Sequence, residues 1–113
     1  MKYRLTDETR EHLGTTVHRI QALESFSDVQ AGDLGGWVAS TKNLAQQGTC
    51  WLYDDAAVLS GALLTGSATA HDQVVIGDSA MVFGAVHLRG EMMIFGNARL
   101  SGEFEYVDGV FMG

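Results

Sequence analysis

Val74-Val75-Ile76-Gly77-Asp78-Ser79-Ala80-Met81-Val82-Phe83-Gly84-Ala85-Val86-His87-Leu88 is the stretch whose reading decides the fold. Apolar residues fall in pairs, Val74/Ile76, Ala80/Val82 and Val86/Leu88, and each pair is six residues from the next. Members of a pair are two apart, so both point to one side of a short strand. Between the pairs stand Gly77-Asp78 and Phe83-Gly84, and Asp78 and Gly84, at the same place in each hexad, are residue types a tight corner needs. Each hexad therefore reads as one short strand and one corner. Carried outward, the same register runs from Leu34 to Phe111 as thirteen hexads without insertion or skip. The fifth position is apolar in all of them, from Val38 through Cys50, Val74 and Phe104 to Val110. The first is apolar except at Ser40 and Gln46, and the third is Gly, Asp or Ser except at Lys42. A fixed six-residue period indicates a parallel β-helix whose inward pairs stack into one core.

The match is closest where Asp28-Val29-Gln30-Ala31-Gly32-Asp33-Leu34-Gly35-Gly36-Trp37-Val38 leads towards Leu44-Ala45-Gln46-Gln47-Gly48-Thr49-Cys50-Trp51-Leu52-Tyr53-Asp54. These residues resemble a bacterial and phage family of hexapeptide-repeat proteins, mostly uncharacterised and often labelled acyltransferases. The resemblance implies a left-handed β-helix with three hexads to a coil, here a little over four coils. Handedness comes only from the resemblance, since crossovers in ordinary sheets favour the right hand. It also implies a parallel homotrimer and, from the label, an acyl-CoA substrate with a His as general base. Acyltransferases of this kind carry a loop that breaks out of the coils and further coils or a C-terminal segment to hold CoA. The unbroken register here shows no such loop.

A chain of 113 residues fits one domain. We divide it into an N-terminal β cap, 1–33, and the β-helix, 34–113. In the first part Lys2 to Leu5 and Thr16 to Leu23 read as strands, and Thr6 to Gly14 as a turn-rich or briefly helical link. A cap would cover the edges and core of the first coil, and polar Ser40 and Gln46 fit a coil that touches it. Trp37 is expected to pack against this head. No apolar run approaches the length of a membrane span, and Met1-Lys2-Tyr3-Arg4 does not open a signal peptide. The single Cys50 excludes an intramolecular disulfide and reads as a buried apolar residue. The expected compartment is a bacterial or phage-infected cytoplasm.

Net charge is −7, and the hexad run holds only Lys42, Arg89 and Arg99 against eight acidic residues. Binding to nucleic acid polymers needs clustered basic charge, so that class is excluded. With eighteen residues per coil, residues eighteen apart stack on one face. One face with its adjoining corner shows Ala57, Leu59, Val75, Met93, Phe95 and Phe111 outward, and the next shows Leu63 and Met81. Such an apolar patch predicts an oligomer interface. The final coil, with Tyr106, Phe111 and Met112, is expected to meet a second trimer end to end.

The third face stacks Trp51, Thr69, His87 and Glu105, beside the corner column Tyr53, His71, Arg89 and Val107. Imidazole and guanidinium groups next to aromatic rings suit a phosphate and a stacked base. The expected function is a non-enzymatic binding protein that holds a small anionic, nucleotide-like ligand between protomers, with Trp51, Tyr53, Thr69, His71, His87 and Arg89 as contacts. A phage protein sequestering a host signalling nucleotide would fit. The alternatives are an acyltransferase using His87 or His71 as base, and a structural protein that binds a protein partner. His71 and His87 are sixteen apart and not a compact pair, so no metal is expected, and no cofactor motif is present.

Overall fold

A hexad leaves room for about two extended residues between corners, and that is what forms. The computed structural model describes all 113 residues. Seven strands have two residues each: β4(Trp51–Leu52), β5(Ala57–Val58), β6(Leu63–Leu64), β7(Thr69–Ala70), β8(Val75–Ile76), β9(Met81–Val82) and β11(Arg99–Leu100). β10(His87–Phe95) and β12(Glu105–Met112) run on around a corner. The strands pair in parallel between coils, giving a β-solenoid of about four turns. Trp51, Thr69, His87 and Glu105 form one register column, and Ala57, Val75 and Met93 another. The inward pairs make the core, with Val58, Leu64, Ala70, Ile76, Val82 and Leu88 fully buried.

The corners explain the third hexad position. From Gly48 to Asp108 every third-position residue has positive φ. Glycine meets this at no steric cost, and at Gly48 an added Cβ would lie 2.4 Å from the Gly66 carbonyl oxygen of the next coil. Aspartate adopts the left-handed conformation at small cost and adds a bond between coils. Asp54 accepts from the Asp72 N–H (3.2 Å), Asp72 from Gly90 (3.0 Å) and Asp78 from Gly96 (2.9 Å).

The unbroken register fails at both ends. Trp37 pairs with Ala57 and Leu44 bridges Leu64, each twenty residues apart, whereas Trp51 and Thr69 are eighteen apart. The corner between Leu44 and Trp51 thus holds two extra residues. An even insertion keeps side-chain parity, so Val38 and Leu44 stay inward, both fully buried. At the other end Arg89 pairs with Val107, but Met93 pairs with Val110 and Ile94 with Phe111. This one-residue slip exchanges the faces. Phe111, expected outward, packs edge-on against Tyr106 at 5.3 Å, and Val110, expected inward, is exposed. Phe104 is exposed as well, and so is Leu34, which pairs with Gln21 instead of entering the core.

The first part of the chain is a hairpin, β1(Tyr3–His12) and β2(Thr15–Ala22). The expected turn-rich link is strand as far as His12, with an irregularity between Leu5 and Thr9. The turn itself is Leu13-Gly14, both with positive φ, as a two-residue hairpin turn requires. β2 pairs antiparallel with β3(Leu34–Val38), which joins the solenoid through β5. Tyr3, Ile20, Ala22 and Val29 enter the same core as Trp51 and Leu52. Gln46 is polar because its side-chain oxygen accepts from the Lys2 and Tyr3 N–H groups, at 2.9 and 3.1 Å. The Arg10 and Arg19 guanidinium groups lie 4.4 and 4.5 Å from the centre of the Trp37 ring, and both arginines reach Asp55.

Asn43, in the single 3-10 turn Thr41–Asn43, fastens the first coil. It is fully buried. Its oxygen accepts from the Ser40 N–H (2.9 Å), and its amide donates to the Ser60 and Ala62 carbonyls (2.9 and 2.8 Å). Asn43→Ala should leave buried groups unpaired and lower stability by about 2–3 kcal/mol, read from urea denaturation. A loss within about 0.5 kcal/mol would show that water takes over these bonds.

Candidate functional site

The polar column sits where the hexad register puts it, but the fold divides its members. Trp51 pairs with Thr69 as expected, yet it is only 1% exposed. Phe26 and Tyr3 stand edge-on to its ring, at 5.3 and 6.2 Å. The expected stacking of a ligand on Trp51 is therefore corrected: the head already occupies that ring.

Tyr53 and His71 stack face to face, with ring centres 4.1 Å apart and planes within 5°. The Tyr53 hydroxyl donates to Asp28 at 2.6 Å. Burial and this bond push the Tyr53 phenol well above its usual range. Asp28 comes from the loop before β3 and lies outside the hexads, so no periodic signal could have named it. Burial holds the His71 pKa below its ordinary value near 6.5; Asp54 and Asp72 oppose that shift and Arg89 adds to it.

The folded state thus favours neutral His71, whereas the unfolded chain takes up a proton below about pH 6.5. The stability tied to neutral His71 is complete above that pH and is lost as pH falls through the lower folded pKa. His71→Phe keeps a ring on Tyr53 and removes the titration. Its Tm should fall less steeply than wild type between pH 6.5 and 5. Some slope should remain, because His12 is shifted the same way. Identical slopes would rule out this role.

His87 is the best-placed group in the column. Its Nδ1 lies 2.6 Å from the hydroxyl of Thr69, which is itself buried. The imidazole borders a shallow cleft of about 360 Å³ with Ala85, Glu103, Phe104 and Glu105. Phe104 was expected in the core and instead forms a wall of this cleft, 56% exposed. Arg89 forms an ion pair with Glu105. Its charge is thereby matched, and Glu103 adds a further negative group to the rim. No group of three or more His, Cys, Asp or Glu side chains is placed to hold a metal ion.

The expected interface residues also separate. Ala57, Leu59 and Val75 are buried beneath the chain's own hairpin, in a cluster with Val17 and Trp37. Phe95 packs against that cluster, and Phe111 faces the core. Met81 lies under Arg99, with Nη1 3.6 Å from its sulfur. Met93 remains exposed and Leu63 partly so. The contiguous patch drawn from the sequence is thus broken, because the hairpin folds back over the face that carries most of it.

Parallel stacked hexads with left-handed Gly, Asp and Ser corners make this chain a hexapeptide-repeat β-solenoid. The chain is similar to a protein of Escherichia coli (strain K12) named "Uncharacterized acetyltransferase YdcK", 40% identical over 75 residues. That alignment covers 58% of this chain, and the chain spans 23% of the relative's length. No protein-family model matches the chain. No helix is long and apolar enough to cross a membrane.

Proposed function

We propose that the chain takes part in acyl transfer, with His87 as general base in the cleft bordered by Ala85, Glu103, Phe104 and Glu105. The observation that carries this reading is the 2.6 Å contact between the Thr69 hydroxyl and His87 Nδ1. When Nδ1–H donates to that oxygen, Nε2 keeps its lone pair and the ring is held in one orientation. Nε2 would take the proton from an amine or hydroxyl acceptor as that group attacks the thioester carbonyl of acyl-CoA. The carbon–sulfur bond then breaks and CoA leaves as its thiol. The name of the Escherichia coli relative supports the same chemistry.

The reading as a holder of an anionic, nucleotide-like ligand has less support. Trp51 is covered, Arg89 is paired, and Glu103 and Glu105 line the adjoining cleft. We further propose a homotrimer formed through the side of the solenoid that carries the partly exposed Leu63 and Met81. The test is to incubate the chain with acetyl-CoA and a panel of amines and hydroxyl acceptors while following free CoA thiol. Turnover that disappears in His87→Ala supports the reading. No turnover, or turnover indifferent to His87, overturns it.

A further inference from the structure

The largest cleft lies away from His87. Its volume is about 660 Å³, within the roughly 300–1,000 Å³ range of small-molecule sites. The hairpin tip covers one side with His12 and Leu13, and the solenoid supplies Gln73, Val75, Glu91, Met93 and Val110. We propose that this cleft binds a primary alkylammonium, its chain lying along Leu13, Val75, Met93 and Val110 and its charged head at Glu91.

The chemistry of the lining selects that class. Glu91 forms no ion pair. Its backbone N–H donates to the Asp108 carboxylate at 2.9 Å, which places a second negative charge at the same corner. An anion would meet both carboxylates. A wholly apolar guest would strip water from Glu91 and give nothing in return. An ammonium on an apolar chain satisfies the carboxylate and the walls together. Gln73 and His12 add polar atoms at the rim.

The hairpin tip points the same way. Leu13 has φ +51° in a two-residue turn, a position that favours Asn, Asp or Gly. It is 65% exposed, so its own core packing does not repay the strain. A guest in the cleft would cover it. The cleft shares no residue with the His87 cleft, so this inference stands or falls apart from acyl transfer.

The test is a methyl-detected NMR titration of the chain at pH 7 with hexylamine, hexan-1-ol and hexanoate. At that pH the amine is protonated, since alkylammonium groups like that of Lys lose their proton near pH ~10. Hexylamine should give saturable shifts at the Leu13, Val75, Met93 and Val110 methyls. Hexanol should bind about tenfold more weakly, and hexanoate should not shift these signals. Glu91→Gln should raise the hexylamine Kd about tenfold and leave hexanol unchanged. Leu13→Gly, which relieves the turn and removes a wall, should weaken both. Asp7→Asn, at an exposed carboxylate outside both clefts, should leave the hexylamine Kd unchanged. Absence of saturable shifts at these methyls, or a hexylamine Kd equal in wild type and Glu91→Gln, overturns the proposal.

Discussion

Trp51→Ala should lower the stability of the chain by about 3–5 kcal/mol, the range for emptying a buried aromatic site. The ring is 1% exposed and is held from several directions. Tyr3 and Phe26 meet it edge-on, and an added Cβ at Gly35 would come within 2.7 Å of it. Strands β1 and β3, the loop that carries Phe26 and the second coil therefore close on one side chain. Alanine would leave a cavity that none of them can fill without moving the others. Domains of this size have about 5–15 kcal/mol in total, so the loss is a large share. Trp51→Phe should recover roughly half of it, since a ring still meets Phe26. Urea denaturation should show a lower midpoint with an unchanged slope. A ring turned to solvent to stack a ligand would behave like other surface positions, within about 0.5 kcal/mol. That outcome would return Trp51 to the candidate site.

If the chain transfers acetyl groups as proposed, His87→Ala should lower kcat by about 10²–10⁴-fold, the usual contribution of a positioned general base. KM for acetyl-CoA should stay close to wild type, because the imidazole acts on the acceptor's proton and not on the thioester's binding. Thr69→Val keeps the shape and removes the hydroxyl. It frees the ring to turn and should lower kcat less, again without raising KM. His71→Ala is the control: its ring is stacked on Tyr53 and does not border the His87 cleft. If His71→Ala loses as much turnover as His87→Ala, the base has been assigned to the wrong histidine. If neither loses any, the column is a structural ladder.

The repeat was legible in the sequence because its physics is local. Side chains alternate along a strand, a corner needs left-handed backbone, and both constraints recur every six residues. The inward pairs from Val58 to Leu88 and the corners from Gly48 to Asp108 follow from those facts alone. The column of Trp51, Thr69 and His87 follows as well, because stacking in a solenoid is a matter of counting. Counting fails where a corner changes length. Two extra residues before Trp51 leave parity intact, so the apolar pattern conceals them. One residue fewer near Asp108 reverses parity, and Phe111 takes the core place expected of Val110.

What surrounds each outward residue was decided by the tertiary structure. The pattern places Trp51, Ala57 and Val75 outside the coils, and only the folded hairpin shows that the chain covers them itself. Asp28 on Tyr53, Glu105 on Arg89 and Lys2 on the Cys50 carbonyl have no common period. The cleft beneath Leu13 joins residues 12 and 110, which no repeat relates. Periodicity fixes which way a side chain leaves its own strand. It carries no information about a segment that lacks the period, and the hairpin that shapes this surface is such a segment.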